Sequence, residues 1–249
     1  MCMNTFIINN VKIVTPYYVL ENAFIYVKRG IIEGIGQTSA GKVHRSCSII
    51  NGNGNWLFPG IIDLHNRLYE KDTSFYNVET ALVSHGITTV CHNIAEEDTG
   101  VNDFNNFRRL GIIRHHLCAN SGPCEEFTLL NASGIIKEAA SSSNIKMTDI
   151  VENHPIYVIC SDSETETILE AIFALNGCLG LDMVNAVRMA TISPAKAFGI
   201  EKKLGSVEFG KNADLILVSS HNNIPKVEMV FVNGCRIYDP CTSSNGNAV

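Results

Sequence analysis

The sequence predicts an α/β protein, a partial TIM-like (β/α) barrel flanked by a small β-sandwich formed from both chain ends. Three observations carry this. Residues 1–57 alternate short apolar runs with Gly and Asn turn signals, the same character returns after residue 200, and between the two apolar runs of strand length alternate with helical stretches. The expected organisation is therefore a composite sandwich from 1–57 and 200–249, with a truncated barrel unit over 58–199.

At the N-terminal end, Phe6 to Val14 reads as a strand interrupted by Asn9-Asn10. Ala23 to Val27 and Ile31 to Ile35 flank Lys28-Arg29-Gly30, a short connection in which glycine supplies a positive φ, so this pair is read as a hairpin. Ser48 to Ile50 and Trp56 to Phe58 flank an Asn/Gly-rich turn. At the other end, Gly205 to Val218 reads as turn, short strand, turn, strand, and Val227 to Val232, Asn233-Gly234 and Cys235 to Tyr238 give a second hairpin signal.

In the middle, Leu57 to Ile62 is an apolar run that holds a Pro-Gly turn signal and ends in Asp63-Leu64-His65, a buried strand with polar groups at its C-terminal tip. Parallel barrels keep their chemistry at that end of the strands. Ile87 to His92 follows a helical stretch from about Val78 to Ser84, Ile112 to Leu117 follows Asn102 to Arg109, and Ile156 to Asp162 is a fourth apolar run. Residues 163–199 are read as helical. Asp182 caps one helix, and Ser193-Pro194 reads as an N-cap followed by proline at the first helical position of another that stops at Gly199.

Composition narrows the function classes. The chain has 249 residues with 45% hydrophobic content, enough for a substantial core. With 19 Lys and Arg against 25 Asp and Glu and no basic run beyond a pair, nucleic acid is not an expected partner. Nine scattered cysteines without a Cys-x-x-Cys pair fit reduced thiols. No spanning helix or signal segment is read, so no membrane partner and a cytoplasmic location are expected.

Pro59-Gly60-Ile61-Ile62-Asp63-Leu64-His65 resembles the first barrel strand of the amidohydrolase superfamily, where such a run carries ligands for one or two divalent metals. Gly205 to Leu215 matches that superfamily's Gly-x-x-x-x-Gly-x-x-Ala-Asp-Leu turn, and Ala190 to Ala197 its Ala-Thr-x-x-Pro-Ala-x-Ala helix. Val78-Glu79 through Val90, Cys118 near His115, Ser161-Asp162 and Asp182 to Val184 are most similar to the alpha-D-ribose 1-methylphosphonate 5-triphosphate diphosphatases of phosphonate breakdown. The resemblance implies a metal-dependent hydrolase of a small, phosphorylated substrate. Its metal, zinc or manganese, would be held by His65, His115 and Asp162, with Asp162 also the catalytic base.

The residues themselves depart from that pattern. Residues 58–199 fall short of the ~200–250 residues that eight βα units usually take, and they show four strand signals. Arg67 stands where the first strand's second ligand belongs, Ala119 where a bridging Glu is expected, and the two later histidine-bearing strands have no counterpart. A cation two residues along the strand from His65 lies on its side of the chain and opposes a divalent ion. Asp162 also suits a helix N-cap, and a His115-His116 pair on a strand puts one ring outward. Three readings stand: the phosphonate-type hydrolase, a hydrolase of C–N bonds in cyclic amides, and a non-catalytic remnant or binding protein. Half a barrel leaves sheet edges and an apolar face to cover, so a homodimer is expected.

Overall fold

The computed structural model describes residues 5–37, 47–64, 75–93, 112–118, 127–140, 156–161 and 167–240. Both ends of the chain enter one eight-stranded sheet. Its strands are β1 (Phe6–Val14), β2 (Val19–Lys28), β3 (Ile31–Gly36), β4 (Ser48–Asn51), β5 (Trp56–Pro59), β11 (Leu215–His221), β12 (Ile224–Val232) and β13 (Cys235–Tyr238). The order is β13-β12-β11-β5-β1-β2-β3, with β4 parallel to β1. The junction between the ends is the antiparallel pairing of β5 with β11, Pro59 opposite Leu215 and Trp56 opposite Val218.

The hairpin tips explain why the sheet rolls over on itself. Arg29 and Gly30 (φ 52° and 80°) and Asn233 and Gly234 (51° and 68°) form two-residue turns with positive φ, the geometry that matches strand twist. These tips meet: a Cβ on Gly30 would lie 2.4 Å from the Asn233 carbonyl oxygen, so the approach requires glycine. Ala213 N donates to Gly30 O at 2.7 Å, and Phe6 stacks on Phe231 with ring centroids 4.9 Å apart. A core of Phe6, Ile8, Ile13, Ile25, Val27, Leu57, Leu215 and Phe231 fills the roll. The Asn9-Asn10 interruption proves to be a bulge inside a continuous β1, with Asn10 at φ 53°.

Five short parallel strands form the second body. β6 (Ile61–Asp63), β7 (Ile87–Asn93) and β8 (Arg114–Cys118) make one sheet, and β9 (Phe127–Asn131) with β10 (Ile156–Cys160) another. Met189 and Ala190 join them, their carbonyls accepting from Ile159 N on β10 and Ile62 N on β6 at 2.9 and 3.0 Å. The result is an arc running β9, β10, β6, β7, β8. Among the described residues it does not close into a barrel. The sequence reading found four of these strands and missed β9.

Helices α1 (Phe75–Ser84), α2 (Ala132–Ala140), α3 (Ile168–Gly177), α4 (Met183–Arg188) and α5 (Ile192–Ala197) accompany the arc. α3 begins with a capping box, in which Thr167 Oγ1 accepts from Glu170 N at 3.1 Å and Glu170 Oε2 accepts from Thr167 N at 3.0 Å. Asp182 caps α4 as expected, accepting from Asn185 N at 2.9 Å. The Ser193 cap is corrected: α5 starts at Ile192, with Pro194 inside its first turn, and the Thr191 hydroxyl turns back to donate to Val187 O at 2.7 Å. Cys47, Cys91, Cys160 and Cys178 are outside disulfides, but Cys235 is disulfide-bonded, a departure from the all-reduced expectation. Among the described residues no helix is long and apolar enough to cross a membrane.

Candidate functional site

Side-chain alternation gives the arc two chemically distinct faces. On one face, Ile61, Val90, Ile113 and Ile159 pack with Val78, Leu82 and Val83 of α1 and with Ile168, Leu169 and Ile172 of α3. On the opposite face, Ile62, Leu64, Cys91 and Val158 form a separate cluster with Ile192 and Ala195 of α5. The pairing register runs Asp63, Val90, His115 across β6, β7 and β8, and on the next step Cys91 opposite His116.

At the tip of β6, Asp63 is fully buried and its carboxylate accepts two hydrogen bonds from Ser161, from the backbone N at 3.1 Å and from Oγ at 2.5 Å. Ser161 is the first residue after β10. This contact fastens the end of the first strand of the arc to the end of the strand leading to Asp162. Burying a carboxylate without such donors costs several kcal/mol, so the pair is a fixed contact rather than a passing one.

His115 is placed differently from the sequence expectation. Its side chain is fully buried, and Nε2 lies 2.8 Å from Oε1 of Glu79, itself 2% exposed, on α1. The other Glu79 oxygen accepts from Ile112 N at 2.8 Å. A ring nitrogen engaged by a buried carboxylate of the outer helix layer is not available to a metal while that bond stands. The physical reason is register: His115 shares the face of Val90, which packs against α1. The other two sequence-based candidates, His65 and Asp162, lie outside the described residues, as do Arg67 and Ala119.

A divalent ion, which the resemblance implies, therefore finds no complete site here. No group of three or more His, Cys, Asp or Glu side chains capable of holding one occurs among the described residues. The donor set does not fit, and no catalytic step is routed through an ion.

A residue that sequence reasoning treated only as part of a family mark has a clear role. Asp214, of the Ala-Asp-Leu motif, receives Arg114 of β8 in two hydrogen bonds, Nε to Oδ2 at 2.6 Å and Nη2 to Oδ1 at 3.1 Å. Its Oδ1 also accepts from Asn233 N at 2.8 Å, and its carbonyl accepts from Gly60 N at 2.8 Å. Four segments, β8, the β5–β6 junction, the start of β11 and the β12–β13 turn, converge on this one residue, so the arc and the rolled sheet are held in fixed relation. Asp63 had a sequence signal, as the polar end of an apolar run; Glu79 and Ser161 stood out only within the stretches that carried the family resemblance and Arg114 did not stand out at all, because their partners are remote in sequence.

Comparison with known proteins agrees with this layout. A family model described as "Amidohydrolase family" matches residues 113–237. Adenine deaminase 3 of Rhizobium meliloti is 36% identical over 84 residues, covering 31% of this chain and 14% of that protein. N-acetylglucosamine-6-phosphate deacetylase of Vibrio furnissii is 34% identical over 85 residues, covering 34% and 21%. These matches thus span about a fifth or less of the curated relatives. Among solved structures, an amidohydrolase from Thermotoga maritima MSB8 superposes with a TM-score of 0.62 at 12% identity, covering 94% of this chain and 100% of that one. An enamidase superposes with a TM-score of 0.62 at 14% identity, covering 93% and 95%. At such identities the structures speak to the fold alone.

Proposed function

The chain belongs to the amidohydrolase family, and from that premise we propose that it is a hydrolase that cleaves a C–N bond in a small cyclic or acylated substrate. The observation that carries this reading is the Asp63–Ser161 contact, which fastens together the ends of the two strands that lead to His65 and Asp162. The named relatives support the bond type, one being a deaminase and one a deacetylase. In this reading Asp162 is the base that takes a proton from the attacking water, and the Asp63 carboxylate sets the backbone of Ser161 immediately before it. Arg67 engages an anionic group of the substrate, for which a guanidinium fork is suited.

The triphosphate-ester reading rests on sequence resemblance alone, and neither relative named above is a phosphonate-pathway enzyme. A non-catalytic role is favoured by one observation, the commitment of His115 to Glu79. The experiment that separates them is a panel of adenine, N-acetylglucosamine-6-phosphate and cyclic amides with ammonia, acetate or ring-opened product as the readout. Turnover lost in Asp162→Ala with unchanged melting supports the proposal. Pyrophosphate release from a ribosyl triphosphate ester, with no C–N cleavage, replaces it with the phosphonate-type reading, and inertness on every substrate leaves the non-catalytic one.

A further inference from the structure

A cleft lies where the C-terminal end of α1 and the start of α3 lean on β12 and β13, at the seam between the helices of the arc and the rolled sheet. It encloses about 210 Å³ and shares no residue with the Asp63–Ser161 or Glu79–His115 contacts. Sites for drug-sized molecules are roughly 300–1,000 Å³, so this one suits something smaller. Leu169, Val227 and Tyr238 give it an apolar floor, the first two buried. Its polar groups carry opposite charges, Glu170 from α3 and Lys226 from β12, with the His85 ring beside them. Each charge is only partly engaged. Glu170 commits one carboxylate oxygen, Oε2, to Thr167 N at 3.0 Å. Lys226 Nζ rests on Glu228 Oε1 at 3.3 Å, but that oxygen has a shorter partner in the Ser219 hydroxyl at 2.7 Å, and the Lys226 side chain is 67% exposed. Partial burial holds the His85 ring below its ordinary value of 6.5, with the Glu170 charge pulling the other way, so at neutral pH the ring is uncharged and does not cancel Glu170.

We propose that this cleft binds a free aliphatic α-amino acid, with its ammonium on Glu170, its carboxylate on Lys226 and its side chain against Leu169, Val227 and Tyr238. A ligand with a single charge leaves the other charged group of the cleft covered and unanswered, whereas a zwitterion answers both, and that difference is the ground of selectivity. The apolar floor selects for a branched side chain over none. Because an occupant touches both the helical layer and the rolled sheet, binding clamps the seam and registers as added stability. The proposal goes beyond the hydrolase reading and uses none of the groups on which that reading stands.

The test uses the full chain with leucine as the probe, and leucinamide, 4-methylpentanoate and glycine as its truncated forms. Leucine should raise the melting temperature with concentration and give a one-to-one isotherm in titration calorimetry. Each truncated form should bind at least about tenfold more weakly, the loss expected for one charge-assisted hydrogen bond or one unburied side chain. Glu170→Gln keeps the capping box of α3, which accepts glutamine, so it should leave the melting of the free chain little changed while weakening leucine at least about tenfold. Lys226→Met, at an exposed position, should do the same. The proposal is overturned if leucine gives neither heat nor a melting shift, if leucinamide or 4-methylpentanoate binds as tightly as leucine, or if both variants bind leucine as the unaltered chain does. Because binding is read without turnover, failure of the substrate panel would sink the C–N reading without touching this one.

Discussion

Single side chains decide most of what is specific here. The Glu79–His115 pair is buried on both sides, so removing Glu79 takes a partner from the buried His115 ring and the acceptor from the Ile112 N–H. Glu79→Ala should cost about 3 kcal/mol in urea unfolding, the range for breaking a buried pair. Glu208 gives a pH dependence. Burial pushes its carboxyl up, but hydrogen bonds from Ser206 and Lys211, 3.0 Å away, and the Lys211 charge outweigh burial and hold it below its ordinary value of 4.5. A carboxyl depressed in the folded state contributes stability above its unfolded value, and that contribution is lost as pH falls from there through the folded one. Glu208→Gln should therefore flatten the stability curve of the chain below about pH 4.5 in acid titrations followed by circular dichroism. Which of two adjacent histidines meets the Glu79 carboxylate was not legible in the sequence. Alternation fixes only that they oppose, and parity depends on a register set by contacts with β7.

At the scale of elements, the sequence was readable where local chemistry dictates shape. The Arg29-Gly30 and Asn233-Gly234 turns, the Asp182 cap and the buried run into Asp63 all carry their own signal. β9 did not: Phe127 to Asn131 is a short run with no alternation, and such a run cannot be told from helix or loop by periodicity. The Ser193 cap failed because the helix begins one residue earlier, at Ile192, which places Ser193 inside it. Two elements offer tests. Thr167→Ala removes half of the capping box of α3 and should cost about 1 kcal/mol, with loss of helix signal at the start of α3 by hydrogen exchange. Asp214→Ala removes two hydrogen bonds from Arg114 and the acceptor of the Asn233 N–H, so about 3 kcal/mol of destabilisation is expected in thermal unfolding.

For the molecule as a whole, the composite sheet was foreseeable because both ends showed the same hairpin grammar, whereas its closure by contact of two glycine turns was not. We propose a homodimer that covers the strand edges, since among the described residues the arc is open. Light scattering at micromolar concentration should then give twice the chain mass of 27.3 kDa, and a monomer mass would sink the idea. The pairing of β5 with β11 also sets the order of folding. Pro59 meets Leu215, so the nascent sheet presents β5 as a raw edge throughout synthesis of nearly the whole arc, and its last strands dock only when the C-terminal third has left the ribosome. Contacts so remote in sequence form late. Refolding from urea should accordingly be slow and concentration-sensitive, with intermediates that expose β5 recruiting one another through its unpaired backbone.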